Sequence, residues 1–254
     1  MARPKAQDCQ AVVSATRMLT RDVLEISFKL TSPESITILP GLFLTLKVPR
    51  PEGGKPMQRS YSIVSSPARG NELTLLVDTD PNGPGSQYLV GLKVGDEVLF
   101  KAPLGTFFLK DPSDRRALFA ANVSAVGVCY AVAKSLLEAQ PELQVTFIFQ
   151  AKRATDLFYH QELLELARTY KGFRHIITVA QPAGQWKGMV GSLAQLLPAR
   201  LGDPATVDVY LAGLGDVVKE LRDLCEKAGV PKEHIAVERF STTTSKDKGD
   251  EVDA

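Results

Sequence analysis

Residues 59–62, with the sequence RSYS, place an arginine, a tyrosine and two serines within four positions. The alternation around this segment is typical of a β-strand, yet both faces of that strand would carry groups that can bind a ligand. A guanidinium can hold two phosphate oxygens at once, and a tyrosine ring can stack on a flat apolar ring system. A serine hydroxyl can donate or accept a hydrogen bond. Arg59, Tyr61 and Ser62 therefore suit a flavin, which combines phosphate, a flat ring and a polar ring edge.

A second segment, GPGS at residues 83–86, has the composition of a phosphate-binding loop. Gly83 and Gly85 would let the backbone close on a diphosphate, and Ser86 would begin a helix whose free N–H groups attract anions. Each segment also has a simpler interpretation. A tyrosine in a strand usually packs, and GPGS by itself is more often a turn with a helix cap. The order and spacing of the two segments, with α/β sequence behind them, favour the flavin.

The composition argues against several other classes of protein. The chain of 254 residues has 30 Lys and Arg against 29 Asp and Glu, so it lacks the basic excess of nucleic-acid-binding proteins. It contains no long uncharged apolar window and no N-terminal signal peptide, so we expect a cytoplasmic chain without a transmembrane segment. Cys9, Cys129 and Cys225 are far apart in the sequence, which predicts reduced thiols and neither a disulfide framework nor a metal site.

The chain divides into two halves of different pattern. Residues 1–111 contain six or more β-branched runs separated by turn signals, which predicts an antiparallel β-barrel. Residues 115–240 alternate five apolar strands with helices, which predicts a doubly wound α/β domain around a parallel five-stranded sheet. The Pro- and charge-rich residues 109–116 are expected to link the domains, and the polar residues 241–254 to form a disordered tail.

These segments together resemble the ferredoxin–NADP reductase superfamily of flavoprotein reductases, over nearly the whole chain up to Phe240. The family pattern Arg-x-Tyr-Ser is matched by RSYS, its Pro-Gly-aromatic strand by PGLFLTL, its Gly-x-x-Ser loop by GPGS, and its VGDEV…PLGTFFL ending by residues 94–109.

The resemblance implies that the first domain is an FAD-binding barrel. Arg59 would hold the FAD phosphate, Tyr61 would stack on the isoalloxazine ring, and Ser62 would lie near the flavin N5 atom. The same resemblance implies that Gly83, Gly85 and Ser86 cover the diphosphate. FAD rather than FMN follows from the family, since no adenine-binding residue can be identified.

The second domain departs from the family pattern where the nicotinamide dinucleotide diphosphate should meet a helix. Relatives have Gly-Thr-Gly there, and this chain has Val123, Ser124 and Ala125. Glycine at such a turn permits positive φ and a close approach of the phosphate, which valine and alanine would oppose. Ser124 could still cap the helix or donate to an oxygen, so we expect an impaired site rather than an absent one.

Other positions of the second domain give mixed indications. The family's Cys-Gly-Pro-Pro turn is replaced by AGLG, in which Ala212 takes the place of the cysteine and Gly213 is kept. The Ser-Arg pair that binds the NADPH 2′-phosphate aligns with Ala180 and Gln181, so the resemblance favours NADH over NADPH.

The last strand of the family often places a carboxylate and an aromatic ring beside the flavin. Glu238 and Phe240 match these positions, and Glu238 joins Ser62 as a candidate catalytic residue. A solvated charge at a strand end is an equally good interpretation of Glu238.

Two functional hypotheses follow. The first is an FAD oxidoreductase that passes electrons between NADH or NADPH and a separate small carrier protein, such as a ferredoxin or flavodoxin. The second is a flavin-bearing electron-transfer or scaffolding subunit of a larger complex, whose nicotinamide site is impaired by the substitutions at Val123, Ala125 and Ala212.

Overall fold

The computed structural model of the protein describes residues 4–50, 53–65, 70–107, 113–182, 184 and 186–241. Its strands form two six-stranded sheets, one in each half of the chain. No helix among these residues is long and apolar enough to cross a membrane. The predicted tail at 241–254, apart from Ser241, and the first part of the predicted linker at 109–116 lie outside the described residues.

The first half is an antiparallel sheet, as its alternating apolar runs predict. Its strands are β1 (Gln7–Thr20), β2 (Val23–Ser32), β3 (Phe43–Val48), β4 (Met57–Ser62), β5 (Glu72–Asp78) and β6 (Glu97–Leu104). The strand order is β4-β3-β6-β1-β2-β5. The two edges meet where Ile63 forms a bridge to Leu75 and Val64 N donates to Thr74 O at 2.9 Å. The sheet thereby curls into a barrel, with fully buried side chains such as Phe100 inside.

The second half is a parallel sheet. Its strands are β7 (Arg116–Asn122), β8 (Val145–Ala151), β9 (Phe173–Val179), β10 (Met189–Val190), β11 (Val207–Leu214) and β12 (Ile235–Phe240), in the order β10-β9-β8-β7-β11-β12. The five predicted strands are present, and the predicted fold class is confirmed. The sixth strand, β10, has only two residues at the sheet edge, which is too short to give a periodic sequence pattern.

Helices cover both faces of the parallel sheet. The described residues form six α-helices. One lies in the first half, α1 (Pro84–Gly91), and the others lie in the second half: α2 (Val126–Ala139), α3 (His160–Thr169), α4 (Leu193–Leu196), α5 (Pro198–Leu201) and α6 (Gly215–Lys227). α2 and α3 pack on one face, and α4, α5 and α6 pack on the other. The apolar strands between them are buried on both sides, because a parallel sheet of this kind has no solvent-facing surface.

Helix α3 begins later than a cap at Thr155 or Asp156 would place it. A short 3₁₀ turn over Ala154–Asp156 ends at Leu157, and α3 begins only at His160. Asp156 does not cap this helix, because its carboxylate accepts a hydrogen bond from Arg153 Nε at 2.9 Å. A charged partner close in space has prevailed over the local capping preference.

The two halves share one hydrophobic cluster. Val64 and Leu76 of the barrel pack against the first turns of α2. A Cβ on Gly127 would lie 2.4 Å from Leu76 Cδ1 and 2.8 Å from Val64 Cγ1. The absence of a side chain at Gly127 therefore lets α2 lie directly against the barrel, and its N-terminal end is buried at the seam between the halves.

Candidate functional site

Strand β4 presents the predicted flavin-binding residues on two faces. Arg59 and Tyr61 are half-buried and share one face, while Ser62 is 7% exposed and belongs to the other. Burial raises the pKa of the Tyr61 phenol to about 12, so it stays protonated. Arg59 donates to Gln58 O at 2.8 Å and has no ion-pair partner among the described acidic side chains. Its guanidinium thus retains donors for an anion.

The N-terminal end of α1 lies directly against this face of β4. A Cβ on Gly85 would lie 2.4 Å from Tyr61 Oη, 2.8 Å from Arg59 Cγ and 3.2 Å from Arg59 Cβ. Only a glycine allows this approach, so the structure brings Arg59, Tyr61 and Gly85 together as one surface. The first N–H groups of α1, at Gly85 and Ser86, have no acceptor within the helix.

Ser86 has a different position from the one that the sequence predicts. The helix begins at Pro84, with Gly83 as its N-cap, and Ser86 lies buried in the first turn. The single proton of its hydroxyl is shared between Asp80 O at 2.8 Å and Gly83 O at 3.1 Å, and the hydroxyl oxygen accepts from Asp80 N at 3.1 Å. The hydroxyl therefore holds the loop from Asp80 to Gly83 closed, and only the backbone N–H of Ser86 is left for a ligand.

These residues fit a flavin nucleotide. The donor set of one guanidinium and two helix N-terminal N–H groups suits phosphate oxygens. The ring of Tyr61 offers a flat apolar surface beside them. Ser65, three residues beyond Ser62, has a buried Oγ with no hydrogen-bond partner among the described residues. A polar edge of the ligand would supply the missing hydrogen-bond partner.

Ser62 lies close enough to the Glu238 carboxyl to favour its ionised form, so the barrel and the last strand of the parallel sheet meet here. Burial raises the pKa of the Glu238 carboxyl to about 7, and the Ser62 hydroxyl opposes this shift only in part. The sequence predicts both residues at the site, and the structure places them in contact. A half-buried carboxyl that titrates near neutral pH can hold or release a proton at this position.

The remaining predicted residues of the second domain lie at the carboxyl edge of the parallel sheet. Glu238 is opposite Ala212 in the register of β11 and β12, and Phe240 is opposite Leu214. Phe240 is partly buried against the cluster shared by both halves. Gly213 has a φ of +142°, a backbone conformation that favours glycine.

Asn122 holds this edge together and was missed by sequence reasoning. Its Oδ1 accepts from Leu214 N at 3.1 Å, and a Cβ on Gly213 would lie 1.8 Å from that oxygen. Position 213 must therefore be a glycine, because the Asn122 amide approaches its backbone too closely for any side chain. A buried Asn at the end of an apolar strand is the signal that could have identified it.

Asp78, at the end of β5, is a second residue missed in the sequence. Its carboxylate accepts hydrogen bonds from Ser124 Oγ at 2.6 Å and from Ser124 N at 3.3 Å. Burial raises the pKa of Asp78 to about 6. The turn before α2 keeps a glycine-like backbone, because Val123 has a φ of +49°. Ser124 therefore does not cap α2, whose N-cap is Ala125 without a side-chain hydrogen bond. Its hydroxyl and its N–H instead donate to a carboxylate of the barrel.

Comparisons with known families agree with the two-part fold. Residues 10–109 match the model of the oxidoreductase FAD-binding domain. Residues 124–223 match the model of the oxidoreductase NAD-binding domain. The two matches cover the barrel and most of the parallel-sheet half, in the order expected from the motifs.

Curated relatives cover almost the whole chain. Ferredoxin–NADP reductase B of Sorangium cellulosum is 30% identical over 244 residues, which span 93% of this chain and 99% of that protein. The toluate 1,2-dioxygenase electron transfer component of Pseudomonas putida is 27% identical over 235 residues, or 92% of this chain and 68% of that protein.

Solved structures show the same fold. The cytochrome P450 reductase of Amycolatopsis superposes with a TM-score of 0.85 at 20% identity, covering 94% of this chain and 72% of that one. The ferredoxin reductase in carbazole 1,9a-dioxygenase gives a TM-score of 0.80 at 21% identity, and the match covers 93% of this chain and 70% of that one. With the relatives above, these matches show that the chain belongs to the ferredoxin–NADP reductase superfamily of flavoprotein oxidoreductases.

Proposed function

We propose that this protein is an FAD-dependent reductase that takes electrons from a reduced nicotinamide and passes them to a separate small electron carrier. The observation that carries the proposal is the surface formed by Arg59, Tyr61 and Gly85, where a cation, an aromatic ring and a helix N-terminus meet. Relatives named as a ferredoxin reductase and as electron transfer components of oxygenases support the carrier partner. We further propose that residues 1–111 act as the FAD domain and 115–240 as the nicotinamide domain.

A bound flavin would supply the redox chemistry, since it can accept two electrons with a proton and release the electrons one at a time. The chain supplies binding and orientation. Arg59 and the N–H groups of Gly85 and Ser86 would hold the phosphates, and Tyr61 would hold the ring against the barrel. The loop that Ser86 closes keeps the start of α1 in place.

Ser62 and Glu238 would control the proton that accompanies the electrons. The Glu238 carboxyl, with a pKa of about 7, can be protonated or ionised near neutral pH. Ser62 is next to Tyr61 in β4 and close to Glu238, and its hydroxyl can donate and accept at once. We propose that Ser62 relays the proton: its hydroxyl would accept the Glu238 proton while it gives its own proton to the polar ring edge of a bound flavin.

NADH is the favoured electron donor in this proposal, because Ala180 and Gln181 offer no charge to a 2′-phosphate. We also propose that the protein acts in the cytoplasm. Cys9, Cys129 and Cys225 are all buried and unpaired, and unpaired thiols are typical of a reducing compartment.

A second candidate function is supported by the start of α2. Ser124 is 3% exposed and Ala125 is fully buried, and the donors of Ser124 are engaged by Asp78. If the start of α2 were permanently closed to nicotinamide dinucleotides, the protein would still carry a flavin. It would then receive its electrons from a partner subunit rather than from a nicotinamide.

One experiment separates the two candidates. The purified protein is loaded with FAD, its visible spectrum is recorded, and NADH and then NADPH are added without oxygen. Rapid bleaching by NADH supports the reductase, and a yellow protein that neither nicotinamide bleaches supports the electron-transfer subunit. If the protein takes up neither FAD nor FMN when both are offered in excess, both candidates are wrong.

A further inference from the structure

The start of α2 is the place where a nucleotide diphosphate would meet the parallel sheet. α2 follows β7, and it begins at the carboxyl edge of the sheet beside β11. In doubly wound folds, dinucleotides bind at this edge with the diphosphate at a helix N-terminus. The segment that matches the oxidoreductase NAD-binding domain begins at Ser124, one residue before the last residue of the turn that leads into α2.

An anionic side chain from the other half of the molecule already takes up these donors. Asp78, the last residue of β5, accepts both the hydroxyl of Ser124 at 2.6 Å and its backbone N–H at 3.3 Å. These are the donors at the start of α2 that an oxygen of a diphosphate would need. The residues after Ser124 are closed to solvent as well, since Ala125 and Val126 are fully buried.

No cation compensates Asp78 in the described part of the chain. Its charged neighbour is Asp22, which adds a second negative charge. Arg153 pairs with Asp22 at 2.6 Å and with Asp156 at 2.9 Å, and forms no ion pair with Asp78. The negative charge at the start of α2 is therefore stabilised by Ser124 and by the helix itself.

We propose that Asp78 competes with the diphosphate of a nicotinamide dinucleotide for the donors at the start of α2, and thereby sets a low affinity for this class of ligand. The inference rests on the proposed function for the identity of the ligand. Two anions cannot share the same two donors, so the diphosphate binds only when the carboxylate moves away. Asp78 is thus an affinity-determining residue contributed by the barrel.

The test uses ligand binding, which needs neither turnover nor a bleached flavin. FAD-loaded wild-type protein, Asp78→Asn and Asp78→Thr are titrated by calorimetry with ADP-ribose, which contains the diphosphate, and with adenosine, which lacks it. We expect both neutral variants to bind ADP-ribose at least about tenfold more tightly than the wild type, with adenosine binding unchanged. Asp223→Asn, which removes an exposed carboxylate from α6, is the matched control and should change neither affinity.

Affinities for ADP-ribose that stay at the wild-type value in both variants would overturn the inference, and so would an equal gain for adenosine.

If the variants fail to fold, hydrogen exchange of the wild-type protein tests the same inference. Saturating ADP-ribose should speed hydrogen exchange in peptides that contain the end of β5 and Ser124, because the hydrogen bonds between Asp78 and Ser124 are broken. Unchanged exchange would also overturn the inference. A protein that takes up no flavin contradicts the proposed function instead, and the same titrations on that protein still decide the role of Asp78.

Discussion

Gly85 lies so close to Tyr61 that a Cβ on Gly85 would be 2.4 Å from the tyrosine hydroxyl oxygen. The same Cβ would meet the Arg59 side chain at 2.8 Å. The helix N-terminus and the binding face of β4 are therefore one unit, and its shape depends on a missing side chain. Any group added at Gly85 must displace the two residues that are proposed to hold the flavin.

The first prediction concerns Gly85→Ala. We expect the dissociation constant for FAD to rise at least about tenfold, because Tyr61 and Arg59 must move, while the free energy of unfolding changes by no more than about 1 kcal/mol. Fluorescence titration of flavin-free protein and urea unfolding measure the two quantities. Gly91→Ala is the matched control at the other end of α1, where a Cβ would meet nothing within 4 Å. Equal FAD affinity in both variants would contradict the proposed surface.

The second prediction separates phosphate binding from ring binding. Arg59→Ala should weaken FAD binding by about 10- to 100-fold, the range expected for lost charge-assisted hydrogen bonds, and should leave riboflavin, which has no phosphate, unaffected. Arg59→Lys should recover part of the FAD affinity, because it keeps the charge but not the two-pronged geometry. Parallel titrations with both ligands test this. A similar loss for riboflavin would place Arg59 at the ring and not at the phosphate.

The sequence was sufficient for the fold, and it named three residues that the structure brings together where β4 meets α1. Period-two alternation gives the barrel strands, and apolar strands between helices give the parallel sheet. Arg59, Tyr61 and Gly85 were identified because their residue types are adjacent in two short segments. The two-residue strand β10 and the delayed start of α3 could not be predicted. β10 is too short to show a periodic pattern, and Asp156 is held by Arg153, which is itself bound to Asp22 in the first half of the chain.

Contacts between residues far apart in the chain were also beyond the sequence. Asp78 and Ser124 are 46 residues apart, and Asn122 and Leu214 are 92 residues apart. Neither Asp78 nor Asn122 belongs to a recognisable motif, and each matters because folding places it against the end of another strand or helix. A valine at position 123 is expected to oppose the positive φ that glycine permits, yet Val123 has a φ of +49°.

The third prediction follows from that strained valine. Val123→Gly should raise the free energy of unfolding by about 1 kcal/mol, because a β-branched residue in the left-handed region stores strain that glycine does not. Urea unfolding at neutral pH measures it. Ala125 has a helical φ of −64° and is fully buried, so Ala125→Gly is the control and should lower stability by about 1 kcal/mol. A loss of stability in Val123→Gly would show that the left-handed turn is not strained.

The fourth prediction uses the titration of Glu238. Burial raises the pKa of this carboxyl from 4.5 to about 7, so the folded protein binds its proton more tightly than the unfolded chain does. The contribution of Glu238 to stability is therefore most favourable below about pH 4.5, and it falls as the pH rises to about 7. One pKa unit corresponds to about 1.4 kcal/mol, so the shift from 4.5 to about 7 lowers the free energy of unfolding by about 3 kcal/mol once the pH is above the folded-state pKa.

Glu238→Gln removes this titration, because its amide stays neutral. Relative to the wild type, the flavin-free variant should gain up to about 3 kcal/mol in its free energy of unfolding between pH 4.5 and pH 8. Denaturant unfolding across that range measures the gain. Glu220→Gln changes an exposed carboxylate on α6 and should keep a constant difference from the wild type. If Glu238→Gln also keeps a constant difference, Glu238 does not titrate near neutral pH, and it cannot hold the proton that the proposed exchange with Ser62 requires.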